Sequence, residues 1–163
     1  MAAFKLNRLH LHLTDDEGWR LEIPTLPTLT QIGACRSHTG NCLPPAHGSG
    51  PLASNPHGSG YLSVNDYETL LKAANLRHIE VIPEIEMPSH AKAAILALRN
   101  QSKYQLLRER DYTESSSVQD FHNNAMNPEL PSTYEFIDTV VDALVQMHRR
   151  AGVPLKHLHI GGC

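Results

Sequence analysis

Positive charge is scarce in this sequence. Lys and Arg number 14 against 17 Asp and Glu, for a formal net charge of -3 at pH 7. No basic field exists to gather a phosphate backbone, which argues against nucleic acid as a partner. Long apolar runs are missing too. None approaches the roughly 20 residues that cross a bilayer, and Met1 to Arg8 has no apolar stretch of the kind a secretory leader carries. Cysteine is limited to three residues, with no Cys-x-x-Cys pair and no His-Glu-x-x-His helix. The 11 histidines therefore fall on no recognised zinc pattern. What remains is a chain of 163 residues, 40% hydrophobic, enough for the core of one domain or of part of a larger one.

Arg8 to Thr14 alternates strictly, with Leu9, Leu11 and Leu13 on one face and His10, His12 and Thr14 on the other, so a strand is predicted, ended by Asp15-Asp16-Glu17-Gly18. Met1 to Lys5 reads as the last turn of a helix feeding that strand. From Ile23 to Tyr61 the chain is rich in Pro, Gly, Ser and Asn, with His-Gly-Ser-Gly at His47 and again at His57, and reads as one long loop. Within it, Cys35 and Cys42 allow a short disulfide-closed loop or two free thiols.

Ser63 is placed to cap a helix running to about Leu76, with Tyr67, Leu70, Leu71 and Ala74 at helical spacing. Ile79 to Ile85 predicts a second strand, with Pro83 near its end. A helix follows, entered through Pro88, and Asp111 to Pro131 forms a second loop. Ser132 and Glu135 then form a capping box for a long helix with an apolar stripe of Phe136, Ile137, Val140, Val141, Leu144 and Met147. Gly152 stops it. His157 to Gly162 reads as a third strand.

Strands separated by helices and long connections are the grammar of parallel βα units. The predicted class is α/β, part of a (β/α)8 barrel or an open parallel sheet. Two strands end in carboxylates, Asp15-Asp16 and Glu84/Glu86, and barrel enzymes collect their chemistry at such ends. His90 is placed to meet a carboxylate from the neighbouring strand, an arrangement that orients an imidazole. Trp19, the only tryptophan, reads as a core residue or as a platform for a sugar ring. His10 and His12 read as metal ligands or as a polar layer inside a barrel.

Three motifs carry a resemblance to a known family. They are Lys5-Leu-Asn-Arg-Leu-His-Leu-His-Leu-Thr-Asp-Asp-Glu-Gly-Trp-Arg20, Glu80-Val-Ile-Pro-Glu-Ile-Glu-Met-Pro-Ser-His-Ala91 and His157-Leu-His-Ile-Gly-Gly162. In this order they resemble the catalytic domain of the family 20 glycoside hydrolases, the chitobiase-like β-N-acetylhexosaminidases. The similarity also runs through Cys35…Cys42, Gly60-Tyr61 and Met126-Asn-Pro128.

The resemblance implies a (β/α)8 barrel of which residues 1–163 are a fragment holding about strands two to four. It implies exo-hydrolysis of terminal β-linked N-acetylglucosamine or N-acetylgalactosamine, without cofactor or metal, by a mechanism in which the substrate supplies the nucleophile. Asp15 and His90 would be the pair leading to the catalytic Glu, while Asp16, Glu86 and Trp19 would face the substrate. The family's polarising Asp and general acid Glu follow the His-x-Gly-Gly strand end, where this chain has Cys163, so the chain alone is expected to be inert. It is also expected to be prone to aggregate, since a slice of a barrel leaves strand edges uncovered. An extracytoplasmic location, secreted, periplasmic or lysosomal, follows from the family. Rival readings are a non-catalytic glycan-binding product and a metal-dependent amidohydrolase-like barrel using His10 and His12.

Overall fold

The computed structural model describes residues 1–162 apart from 39, 47, 109, 110, 114 and 115. His47, which opens the first His-Gly-Ser-Gly copy, and Cys163 therefore lie outside the described residues. Strand β1 (Arg8–His12) pairs in parallel with β4 (Glu80–Glu84), Arg8 opposite Glu80 and His12 opposite Glu84. This register follows from the alternation read above. Leu9 and Leu11 pack toward the core while Arg8, His10 and His12 turn away from it. The turn before β1 is a single 3-10 turn, Ala2–Phe4.

Between these strands lies more structure than a loop. A hairpin of β2 (Thr14–Asp15) and β3 (Gly18–Trp19) follows β1 directly, so Asp15 stands on a strand and not in a terminating turn. A four-residue helix α1 (Thr28–Gln31) follows. The rest of the predicted long loop is stapled by two arginines. The Arg20 guanidinium donates to the carbonyls of Ala34, Gly58 and Gly60, and that of Arg36 to those of Glu17 and Pro44. The Cys35–Cys42 disulfide forms, across a sequence separation of 7.

Helix α2 (Val64–Asn75) carries the expected Ser63 cap, and Asp66 completes a reciprocal capping box. Helix α3 (Lys92–Leu98) begins just past His90, as predicted, with Ala91 at its N-cap and His90 outside it at a positive φ of 51°. Pro88 is thus not the helix entry. Helix α4 (Pro131–Ala151) has Leu130 at its N-cap and Pro131 in its first turn, with no side-chain cap. Ser132 lies inside the helix and its hydroxyl donates to the Gln105 carbonyl, so the predicted Ser132–Glu135 box is absent. Pro131 has no N–H to be capped, which suits it to the first helical position. Gly152, at φ 71°, ends the helix as predicted.

The third predicted strand is reduced to one bridge, Glu84 with His159. It is reinforced by bonds from Ile85 N to His159 O, Met87 N to Ile160 O and His159 N to Pro83 O. Pro83 offers no N–H at this point, so the ladder there is one-sided. The segment still lies parallel to β4, on the side away from β1. The core between strands and helices holds Trp19, Leu21, Leu29, Tyr67, Leu71, Ile85, Leu98, Phe136, Val140, Leu144 and Met147. The stripe predicted for α4 is thus its buried face. Among the described residues no helix is long and apolar enough to cross a membrane. The class is α/β.

Candidate active site

Because β1, β4 and the 157–160 segment run in the same direction, their carboxyl ends deliver titratable side chains to one place. β1 contributes His10 and His12, the hairpin Asp15 and Asp16, β4 and its following loop Glu84, Glu86 and His90, and the last segment His159. Imidazoles and carboxylates alternate through this group.

At its outer end His10 Nε2 lies 2.5 Å from one oxygen of Glu84, and His159 Nδ1 lies 3.0 Å from the other. Burial pushes the Glu84 carboxyl up, but His12, His159 and His10 together outweigh it and hold the group below its ordinary range. His12 Nε2 is 3.2 Å from Glu86 Oε1 and 3.6 Å from Asp15 Oδ2. Glu86 is raised instead, by its burial first and then by the charge of Glu84 beside it. Its Oε2 is buried with no hydrogen-bond partner, and a side chain on Gly161 would overlap it.

At the inner end His90 Nδ1 lies 3.2 Å from Asp16 Oδ2 and 3.4 Å from Asp15 Oδ1. The expected Asp15–His90 contact is therefore present, but it is shared. The Asp16 side chain is 1% exposed and that of Asp15 40%. Asp16 also accepts from Lys92 N at 3.0 Å and Asn124 Nδ2 at 2.7 Å. It is the fixed partner of His90, and Asp15 is the solvent-facing one.

Three residues read as facing a substrate are enclosed. Asp16 is committed to protein donors, Glu86 lies beneath Gly161, and Trp19 is 1% exposed. The Trp19 ring meets Phe136 edge-on at 5.9 Å, and its Nε1 donates to the Leu21 carbonyl. Of the two readings of this tryptophan, burial is the correct one, since no ring face is free to stack on a sugar. The strand period signalled that His10 and His12 share a face; nothing in the sequence signalled Asn124, which sits in an irregular polar loop. Among the described residues, His10/Glu84/His159, His12/Glu84/Glu86 and Asp15/Asp16/His90 each bring three ligand-type atoms within 4.8 Å of one another. A hollow of about 420 Å³ lies elsewhere, between α4 and the Pro24, Thr25 and Tyr104 side chains, and touches none of these groups.

Acid–imidazole pairs are thus mounted at the carboxyl ends of parallel strands in an α/β fold. The chain belongs to glycosyl hydrolase family 20, whose catalytic-domain model matches residues 1–163. It is similar to the N,N'-diacetylchitobiase of Vibrio harveyi, with 45% identity over 99% of this chain and 20% of the relative. With β-hexosaminidase B of Pseudoalteromonas piscicida it shares 42% identity over 99% of this chain and 23% of the relative. A solved structure of a Vibrio harveyi exo-β-N-acetylglucosaminidase in complex with N-acetylglucosamine superposes with a TM-score of 0.83. Its identity is 38%, covering 98% of this chain and 23% of that one. The chain thus spans about a fifth of the length of these relatives.

Proposed function

We propose that this chain serves a β-N-acetylhexosaminidase that removes terminal β-linked N-acetylglucosamine or N-acetylgalactosamine from oligosaccharides with retention of configuration. The single observation that carries the reading is the Asp15/Asp16–His90 group at the carboxyl ends of parallel strands, in a chain of family 20. In the same reading β1, β4 and the 157–160 segment are consecutive strands, about the second to fourth, of a (β/α)8 barrel, and the chain is part of that catalytic domain.

In the substrate-assisted mechanism of this family the acetamido oxygen of the sugar attacks the anomeric carbon. The bond to the leaving oxygen breaks, and a Glu delivers its proton there. Water then opens the oxazolinium intermediate while the same Glu recovers the proton. The Asp and Glu of that chemistry would follow Gly162, where this chain has Cys163. The residues of this chain support the step. Asp16 and Asp15 hold the imidazole of His90, His90 leads to the proton-donating Glu, and Glu86 braces His12 from below. This division gives Asp16 and Glu86 supporting roles and leaves Asp15, half-exposed, as the acid nearest the solvent side. The family's usual setting, outside the cytoplasm, accords with the Cys35–Cys42 disulfide.

The test is hydrolysis of a chromogenic β-N-acetylglucosaminide by the 163-residue chain, beside a form extended past Gly162 with Asp–Glu and the remaining strands. Turnover by the extended form alone, lost by about 10²-fold or more on replacing His90 with Ala, supports the reading. Turnover by the short chain would move the proton donor to Glu84 or Glu86 and overturn it.

A further inference from the structure

We infer that Asn124 is a positioning residue for the Asp16–His90 pair, which deepens the proposed function and rests on it. Asp16 is one of the most enclosed carboxylates of the chain, and three groups converge on it. Lys92 N holds Oδ1, while Oδ2 lies between Asn124 Nδ2 at 2.7 Å and His90 Nδ1 at 3.2 Å. Among the described residues the asparagine is thus the only side-chain amide on the carboxylate oxygen that faces the imidazole, and it comes from 108 residues further along the chain.

The loop bearing Asn124 grips the His90 segment on both sides. Ala91 N donates to the Asn124 carbonyl at 2.7 Å, and Met126 N donates to the Pro88 carbonyl at 2.8 Å. Lys92 Nζ reaches the His122 carbonyl. Between these clamps His90 holds its φ of 51°, a left-handed conformation that is unfavourable for a non-glycine residue and persists only where the surroundings enforce it. One loop therefore fixes the backbone of the histidine and, through the Asn124 amide, the carboxylate that aims its ring.

The amide also divides the charge of Asp16. A donor on Oδ2 draws electron density from the oxygen shared with His90, so its removal leaves more negative charge facing Nδ1. The other charged groups facing this pair are Asp15 on the hairpin, Glu86 on the loop after β4, Lys92 at the start of α3 and His12 on β1. Of these only Lys92 donates to Asp16, through its backbone N–H and on the other oxygen, Oδ1.

Kinetics and a spectroscopic measurement test this together. In the protein that carries this chain in its native length, Asn124→Ala is expected to lower kcat/KM toward the chromogenic glycoside by about 10- to 100-fold. It should also move the acid limb of the kcat/KM profile to higher pH. Asn124→Asp, equal in size but unable to donate when ionised, is expected to be at least as damaging as Asn124→Ala. In 15N-histidine-labelled protein the Nδ1 proton of His90 should exchange with solvent at least about 10-fold faster in both variants. A milder effect for Asn124→Asp than for Asn124→Ala would reduce Asn124 to a packing residue and overturn the inference. So would an unmoved acid limb together with unchanged exchange. Should Asn124→Ala fail to fold, Asn124→Ser carries the same comparison. If the unmodified protein does not hydrolyse the glycoside, the proposed function fails on its own, and the exchange measurement still decides whether Asn124 holds the pair.

Discussion

Replacing Gly161 by alanine tests the packing at the heart of the site. Gly161 adopts φ 72° directly over the Glu86 carboxylate, and an added Cβ would overlap its buried oxygen Oε2. Two costs combine. An alanine in the left-handed region costs about 1 kcal/mol, and forcing a methyl group against a fixed, buried group costs about 1–3 kcal/mol. The sum, about 2–4 kcal/mol with the carboxylate held in place, is relieved by swinging the end of the Glu86 side chain away or by releasing the 157–160 segment. That release breaks the bonds from Ile85 N and Met87 N to His159 O and Ile160 O. Urea unfolding read by Trp19 fluorescence gives the global cost, and amide exchange at Ile85 and Met87 gives the local one. The penalty should shrink when Glu86 is shortened to Asp, because the carboxylate then withdraws by one methylene from the new methyl. An alanine variant with unchanged urea midpoint and unchanged protection at Ile85 and Met87 would refute this account of the contact. So would a penalty that does not depend on Glu86.

Phe136→Ala should destabilise by about 3–5 kcal/mol, since Phe136 is fully buried against Trp19; the measurement is urea unfolding, with a red shift of Trp19 emission as the companion signal. Reducing the Cys35–Cys42 bond, or replacing both cysteines by serine, should cost about 2–3 kcal/mol by freeing a loop with a separation of 7 in the unfolded state; equal denaturation midpoints with and without reductant would contradict it. His148 is buried, and desolvation holds its imidazole below the ordinary value despite the Val153 carbonyl on Nδ1. The unfolded chain therefore binds a proton more readily than the folded one as pH falls through about 6.5. Stability attributable to His148 is full above that pH and declines below it, by at most about 1.4 kcal/mol per pH unit. His148→Gln, which can still bond to the Tyr67 hydroxyl, should flatten the difference in urea stability between pH 7.5 and pH 5.5; an identical difference would show that His148 does not contribute.

Local pattern was enough for the regular elements. The alternation from Arg8 fixed which face of β1 carries its histidines, Ser63 and Gly152 marked helix ends through caps that act within one turn, and the stripe of α4 announced its buried side. Local reading failed in two ways. The adjacent Pro131 took the first helical position and left Ser132 inside α4, while contacts between segments distant in the chain, the arginine staples from Arg20 and Arg36, turned an apparent loop into ordered structure. Three motifs in the sequence were also sufficient to point to the family and to pair Asp15 with His90, while Asp16 was read as facing a substrate.

Only the tertiary structure decided that Asp16 is the enclosed partner of His90 and Asp15 the solvent-facing one. Burial is a property of the whole packed chain, and adjacent Asp15 and Asp16 differ in it although their sequence surroundings are nearly the same. The hairpin turns one toward solvent and the other onto Lys92, His90 and Asn124. The same holds for Trp19, whose enclosure depends on Phe136 in α4, and for Glu86, whose unpartnered oxygen depends on Gly161 closing over it. Periodicity and capping report interactions over a few residues, whereas desolvation and the pairing of charges are set by contacts between segments that the sequence keeps far apart.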